Sequence, residues 1–555
     1  MRYRFLLAIV FIAASSPAHS QQNLDRVNPA RLEDQSLEKI SEETDNVPQL
    51  VVEEEIFTEN GGRTEVAAAQ PDLSYDVGAI DIVGLQGMSR SAFSDIVGSF
   101  IGRSLTSDDL ASLTDQIARR ARQQYPMASA AIEPQALRAG VLRVRIDEGL
   151  IDEIRLDGVQ NSAVMAALQP LASGQPVTTA QLERRLLIAG DIDGISLGET
   201  RIERQDGKTI LLVKVGHDAF RAQITFDNDS SKPLGPLELF GTARFNGVLA
   251  ADDSLQIFAL NTVPQLSELS FARLRYGKRV SPGGTEISLT GSYSRNAPGA
   301  YLEAFDIEGE SWFAAIGALH PLKRSRQTSL WLDASLSYRE IAQRRTDILA
   351  RKDRLTVARL GLYGYTDLAG GRLRINTSLA QGLDLFGATK GSNPLSSRDD
   401  ADGTFTTITF FADWKKEIVS NFGTNIAVRS QLASQPLLVS EEMGIGGASF
   451  VRGYDYSERS GDQSVTGYFE LNYDWKHDLG VVRGLEFYAF ADGGKAMNLE
   501  GGFGSGTLFS TGGGIRADVN SRTDAGLEIA VPLSGDRYDT DNQDPRIRFA
   551  MTRYF

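Results

Sequence analysis

The run Gly467-Tyr468-Phe469-Glu470-Leu471-Asn472-Tyr473-Asp474-Trp475-Lys476 decides the fold. In an extended chain Gly467, Phe469, Leu471, Tyr473 and Trp475 share one face, and Tyr468, Glu470, Asn472, Asp474 and Lys476 share the other. The same texture recurs along the C-terminal half. Leu330, Leu332, Ala334, Leu336 and Tyr338 alternate with Trp331, Asp333, Ser335, Ser337 and Arg339; Leu373, Ile375, Thr377 and Leu379 alternate with Arg372, Arg374, Asn376 and Ser378. A soluble sandwich also alternates, but here charged residues return on one face of strand after strand, with no second apolar layer to oppose them. Apolar toward lipid and polar toward a wet lumen fits better. From Arg221 onward helical periodicity is absent. Sixteen candidate strands begin near residues 221, 238, 254, 269, 285, 311, 329, 355, 371, 403, 423, 464, 485, 508, 523 and 545. An even number suits a single-chain bacterial barrel. In the last strand Ile547, Phe549, Met551 and the terminal Phe555 share a face that Arg553 interrupts.

The rest of the chain says how such a barrel reaches a membrane. Arg2 and Arg4 precede the apolar stretch Phe5 to Ala14, and Ala18-His19-Ser20 offers small residues at a cleavage position. That is a secretory signal, read as residues 1–21, and too short to span hydrocarbon. Beyond it no stretch approaches eighteen apolar residues, so a membrane-spanning chain must be a closed barrel. With Cys 0 there is no disulfide framework or thiolate chemistry. The four His residues (His19, His217, His320, His477) lack metal-site spacing. A net charge of -15 argues against nucleic acid.

Residues 22–73 are acidic and read as a linker, within which Asn28-Pro29 caps and opens a helix carrying Leu32, Leu37 and Ile40. A repeat follows. Ile80-Asp-Ile82-Val-Gly84-Leu85-Gln86 returns as Ile154-Arg-Leu156-Asp-Gly158-Val159-Gln160, an offset of 74 residues. Each copy continues into a helix, with Phe93, Ile96, Val97 and Phe100 in one and Val164, Ala167, Leu168 and Leu171 in the other. Second helices open on Thr106 with Asp109 and on Thr178 with Gln181, as capping boxes. Strands Val141 to Ile146 and Thr209 to Val215 close the units. Two β-α-α-β-β modules are expected, at 74–149 and 150–217, before a barrel at 218–555.

No enzyme motif survives, and neither catalytic residues, a cofactor nor a metal is expected. Gly207-Lys208-Thr209 lacks the leading Gly of a phosphate loop, and Gly512-Gly513-Gly514 has no βαβ unit around it and reads as a strand-end turn. The informative segment is Met443 to Asp462, Gly-rich and carrying Val451-Arg452-Gly453-Tyr454 between two well-patterned strands. If this loop folds into the lumen, Arg452 is buried and requires a carboxylate. Glu470 lies on the polar face of its strand, and Phe490 and Asp492 of Phe490-Ala491-Asp492-Gly493-Gly494 share a face, so both carboxylates are candidates.

The loop resembles the sixth extracellular loop of the polypeptide-transporting barrel superfamily, and Phe490 to Gly494 resembles that superfamily's Phe-x-Asp-x-Gly strand motif. Within it, two modules before a 16-stranded barrel resemble the two-partner secretion transporters, the haemolysin and filamentous-haemagglutinin secretion proteins. Gln181 to Gly194 resembles the end of their second POTRA module, and Phe305 to Arg326 their barrel signature. The terminal Phe555 resembles an outer-membrane sorting signal. The resemblance covers residues 75 to 555. It implies two α+β periplasmic POTRA modules followed by a 16-stranded antiparallel transmembrane β-barrel, acting as a monomer in the bacterial outer membrane. It implies a secreted exoprotein as partner, contact with outer-membrane lipid, and an N-terminal helix that plugs the pore, for which residues 28–43 are the candidate. The site residues it implies are Val451, Arg452, Gly453 and Tyr454 of the loop with Glu470, Phe490, Asp492 and Gly494 of the strands. The rivals are an assembly insertase of the same superfamily, which usually carries more POTRA repeats, and a diffusive porin, which would need neither modules nor loop.

Overall fold

The computed structural model describes residues 24–30, 74–132, 140–476, 480 and 482–555. Sixteen antiparallel strands close into one barrel, each hydrogen-bonded to its sequence neighbour and the last to the first. They run Phe220–Asp227, Leu237–Asn246, Asp253–Val263, Ser270–Arg279, Glu286–Asn296, Ile307–Arg324, Thr328–Arg345, Ile348–Leu368, Gly371–Leu383, Thr406–Val419, Phe422–Ala433, Gln463–Trp475, Gly484–Met497, Gly506–Asn520, Thr523–Pro532 and Arg546–Tyr554. All the expected strands are present. The sixth and eighth start earlier than the alternation suggests, at Ile307 and Ile348. Around the hairpin of strands seven and eight, Glu308 and Glu310 of strand six and Arg351 and Lys352 of strand eight interrupt the apolar alternation, so pairing continues where the patterning has stopped. The two strands flanking this hairpin meet at Thr346 and Asp347, both with positive φ (50° and 62°), the geometry of a two-residue hairpin turn.

Strand faces follow the sequence parity. Phe469 and Leu471 point outward, with Leu471 47% exposed, while Ser464, Thr466 and Glu470 are buried inside. Cross-strand aromatic pairs mark both interfaces: Tyr293 with Trp312 (4.5 Å between centroids) toward the outer rim, and Phe422 with Tyr473 (4.6 Å) at the periplasmic one. Arg553 remains exposed on the same face, at the periplasmic end of the last strand, where its Nη1 donates to Thr523 Oγ1 (2.6 Å) on the neighbouring strand.

The closing ladder is the shortest in the barrel. Strand one meets strand sixteen through five residue pairs, Gln223 to Asp227 against Tyr554 to Ala550. Above them Asn228 extends the seam: its backbone N–H donates to Phe549 O (3.4 Å), its Nδ2 to Ile547 O (2.9 Å), and its Oδ1 accepts from Phe549 N (2.8 Å).

Two α+β units precede the barrel. In the first, Ala79–Val83, Val141–Asp147 and Ser129–Ile132 form a sheet with Val141–Asp147 central, and Ser107–Arg122 packs on it. The short pair Tyr75–Val77 and Arg103–Leu105 is an addition the repeat did not reveal. In the second, Lys208–His217 lies between Glu153–Gly158 and Ile195–Gln205, under helices Ser162–Leu168 and Thr179–Gly190. Both capping boxes form, from Thr106 with Asp109 and Thr178 with Gln181. Each unit has its own core, around Phe93, Leu113, Ile117 and Val144 in one and Val164, Leu168, Leu186 and Leu211 in the other.

Phe220 follows three residues after the second unit, so that end of the barrel is periplasmic and the hairpins after odd strands face outward. Residues 24–30 lie inside, toward the outer rim. Gln343 Nε2 donates to Leu24 O (2.8 Å), Asn296 Nδ2 to Val27 O (2.9 Å), and Arg351 Nη1 meets Asp25 Oδ1 at 2.5 Å. Asn28 accepts from Ala30 N (3.0 Å), as a helix cap should. The expected helix positions Leu32, Leu37 and Ile40 lie outside the described residues.

The register at strand twelve is testable. Leu471→Arg places a charge in lipid, which costs about 2–4 kcal/mol near the midplane and less toward the interfaces. It should lower outer-membrane abundance and heat-modifiable migration, whereas Asn472→Arg, facing the lumen, should be tolerated. The reverse ranking would mean a one-residue slip.

Candidate functional site

Between strands eleven and twelve the chain folds back into the lumen. It leaves as Met443–Ile445 and returns as Arg459–Gly461, paired antiparallel. Gly446 and Gly447 turn it at φ 107° and 120°, where Gly446 lies so close that an added Cβ would stand 2.4 Å from Asp455 O. Val451 holds φ 55°, a conformation hostile to a β-branched residue. It is fully buried there, among Ile445, Phe450 and Tyr454, and this packing holds the backbone.

Arg452 is the centre. It is 4% exposed, and its partners come from three barrel strands, twelve, thirteen and fifteen. Nη1 donates to Glu470 Oε2 (2.7 Å) on strand twelve, Nε to Asp492 Oδ2 (3.2 Å) on strand thirteen, and Nη1 lies 3.6 Å from Glu528 Oε2 on strand fifteen. The backbone N–H of Arg452 also donates to Asp492 Oδ2 (3.0 Å), so one carboxylate holds both side chain and main chain. The guanidinium lies 3.4 Å above the Phe490 ring, a cation–π contact in a desolvated place. Glu470 faces Phe490 and Tyr468 faces Asp492 across the ladder, which is why both carboxylates converge on one arginine.

The remaining loop residues have separate reasons. Gly453 approaches strand fourteen so closely that a Cβ would lie 2.8 Å from Ser510 Cβ, and its N–H donates to Ser510 Oγ (3.0 Å). Tyr454 is fully buried, its hydroxyl accepting from Ser534 N (3.0 Å), while Arg546 Nη1 donates to its carbonyl (2.7 Å). Gly494 sits where strands twelve and thirteen approach, with no room for a Cβ beside Thr466 (2.9 Å); none of the Arg452 contacts involves it.

Several members were not visible in the sequence. Glu528 accepts from Arg548 Nη1 (2.9 Å), and Arg548 forks onto Asp229 (2.5 and 2.9 Å) just beyond strand one. Arg516 Nη1 reaches Glu470 Oε1 (3.0 Å) and its guanidinium lies over Tyr488 (3.8 Å). The lumen is thus lined by arginines and carboxylates that neutralise one another, the arrangement that makes buried charge tolerable. The Gly512-Gly513-Gly514 reading needs correction. These residues lie in mid-strand, not at a turn: a Cβ would stand 2.2 Å from Ile529 O and 2.8 Å from the Phe490 ring at Gly512, and 2.4 Å from Leu527 O and 2.7 Å from the Tyr488 ring at Gly514. Aromatic residues two apart facing glycines two apart were the available signal. Among the described residues no group of three or more His, Asp or Glu is placed to hold a metal.

Such a barrel, with a loop clamped inside it and α+β modules below it, defines an outer-membrane transporter with periplasmic POTRA modules. The model of the haemolysin secretion/activation protein family ShlB/FhaC/HecB matches residues 207–517, and that of the ShlB-type POTRA domain matches residues 75–149. With more than half of its length matched, the chain belongs to this family of two-partner secretion transporters. It is 22% identical over 514 residues to the heme/hemopexin transporter protein HuxB of Haemophilus influenzae, covering 88% of this chain and 89% of that protein. It is 22% identical over 494 residues to the outer membrane transporter CdiB of Escherichia coli, covering 84% and 81%. The solved structure of CdiB from Escherichia coli superposes with a TM-score of 0.72 at 20% identity, over 98% of this chain and all of that one. BamA from Haemophilus ducreyi lacking POTRA domains 1–3 shares the fold at TM-score 0.52 and 11% identity, over 87% and 100%.

Arg452→Ala leaves Glu470, Asp492 and Glu528 facing one another without their cation, at a cost of about 3–5 kcal/mol when truly buried. The loop should become protease-accessible in a barrel that still inserts. Asp492→Ala should do the same, and the double variant should be less than additive in thermal unfolding.

Proposed function

We propose that the chain takes a secreted protein in an unfolded state from the periplasm and passes it outward through the barrel without nucleotide hydrolysis. The size of the free lumen carries this reading. A cavity of about 1070 Å³ opens beside strands one and sixteen, comparable to a pocket for one small ligand. A folded domain of a hundred residues, with a radius of gyration of about 13 Å, has no place there. An extended chain does. The walls mix Arg221, Arg244 and Arg522 with Asp218, Asp518 and Asp524, beside apolar residues such as Phe240 and Phe549.

The working division is signal 1–21, plug and linker 22–73, POTRA modules 74–149 and 150–217, and barrel 218–555. The second module's sheet ends in Glu153–Gly158 on one side and Ile195–Gln205 on the other, neither paired further among the described residues. Such edges accept an extended cargo as an added strand. Loop 443–462, held by Arg452, and the N-terminal segment, held by Arg351, occupy the outer lumen at rest and must give way during passage. Folding of the cargo outside supplies direction. The names of HuxB and CdiB, both called transporters, support export over assembly of membrane proteins.

Co-expression with candidate exoproteins tests this: cargo should appear in the medium with the intact chain and fall sharply with Arg452→Ala, at unchanged barrel abundance. Normal release from that variant would remove the loop from the mechanism. Asp25→Ala should loosen the resting plug and raise channel conductance in planar bilayers, since the ion pair that ties the N-terminal segment to Arg351 is then gone.

A further inference from the structure

Two segments that stand out in the sequence, Gln181 to Gly194 and Phe305 to Arg326, meet in space. Arg324, at the periplasmic end of strand six, is 4% exposed and points away from lipid. The carboxylate that meets this buried cation comes from the second module: Nη2 and Nε donate to Asp191 Oδ1 (2.7 Å) and Oδ2 (2.8 Å), a bidentate pair. Nη1 is held by Tyr365 OH (2.8 Å) and Ser329 Oγ (3.0 Å), and Trp331 lies 5.1 Å below the guanidinium. The barrel therefore presents a preformed socket lacking a charge that the module supplies.

Asp191 ends the helix Thr179–Gly190, and the turn after it is pressed on the barrel. Gly194 has φ 76°, and a Cβ there would meet Asn246 Cβ at 2.6 Å. Asp193 Oδ2 accepts from Ser254 Oγ at 2.5 Å. Along the same helix Arg184 donates to Pro321 O (3.1 Å) and Arg185 to Pro282 O (3.2 Å). These contacts fall on the periplasmic ends of strands two to six, whereas the cavity is lined chiefly by strands one and two and thirteen to sixteen. The module thus stands chiefly to one side of the opening, meeting the cavity wall at Arg244, whose Nη1 lies 3.5 Å from Asp193 Oδ1.

We infer that Asp191 and Arg324 form a latch that holds the second periplasmic module beside the lumenal opening, keeping the path into the cavity clear. They are positioning residues, acting through the placement of the module. This rests on the reading of the chain as an exporter of extended polypeptide. Undocking would strand Arg324 in its socket, so loss of the partner charge should shift docking by about a hundredfold, the usual scale for one broken buried pair.

The chain has no native cysteine, so an introduced pair reports cleanly. In the full-length protein, Asp193→Cys with Ser254→Cys should crosslink on oxidation, because the two side chains already touch. Adding Asp191→Asn should cut the crosslinking rate at least tenfold while the barrel remains heat-modifiable. Arg324→Lys, which keeps the charge but loses the fork, should be intermediate. Asp191→Asn alone should reduce cargo release about tenfold, and the oxidised tether should restore release until a reductant is added. Unchanged crosslinking in Asp191→Asn overturns the latch without touching the export reading, since that measurement needs no cargo. Failure of the tether to restore release, or a block of release by the tether in an otherwise native chain, overturns the positioning role.

Discussion

In lipid no water is available to an unpaired N–H or C=O, so the sheet must close on itself. Every other feature of this chain follows from that closure. It sets the tilt and parity of the strands, and parity sends every second side chain inward. The closing ladder is also where the constraint is met with least to spare: five backbone pairs between strands one and sixteen, then Asn228, whose side-chain amide reinforces one long main-chain bond to Phe549. On the lumenal side Arg548 grips Asp229 across the same junction.

A closed ring of strands with polar interiors creates a second problem, because its inner charges are cut off from bulk solvent. The solution is mutual. Arg452 is answered by Glu470, Asp492 and Glu528, Glu470 also by Arg516, and Glu528 also by Arg548. These ties run from the inserted loop to the junction of first and last strands, so the loop belongs to the barrel wall as much as any strand does. Outside the membrane the same chemistry joins the second module to the barrel base through Arg324.

Much of this was legible from local rules. Period-two patterning located the sixteen strands because one face of each meets lipid. It lost the early parts of strands six and eight, where Glu308 and Glu310 on one and Arg351 and Lys352 on the other interrupt the apolar alternation. The capping boxes and the Asn28 cap were legible because the groups they satisfy lie within three residues. Arg452 announced its need for carboxylates by burial alone, and parity pointed to Glu470 and Asp492. Glu528, Arg516 and Arg548 stayed hidden, since nothing local says which of many inward charges the closed register brings together. The glycines at 512 to 514 were misread for the same reason: the rings that require them sit on the neighbouring strand.

The burial of the Arg452 cluster has an environmental consequence. Mobile ions screen charges over about 8 to 10 Å at ordinary ionic strength, but only where solvent reaches. A surface pair such as Arg221 with Asp218, both more than half exposed, weakens as salt rises. The pairs around Arg452, with side chains 5% and 6% exposed or less, do not feel the medium in that way. An outer-membrane protein meets dilute water and brine alike. Its inner loop is held by forces indifferent to the difference, so what releases it must come into the lumen itself.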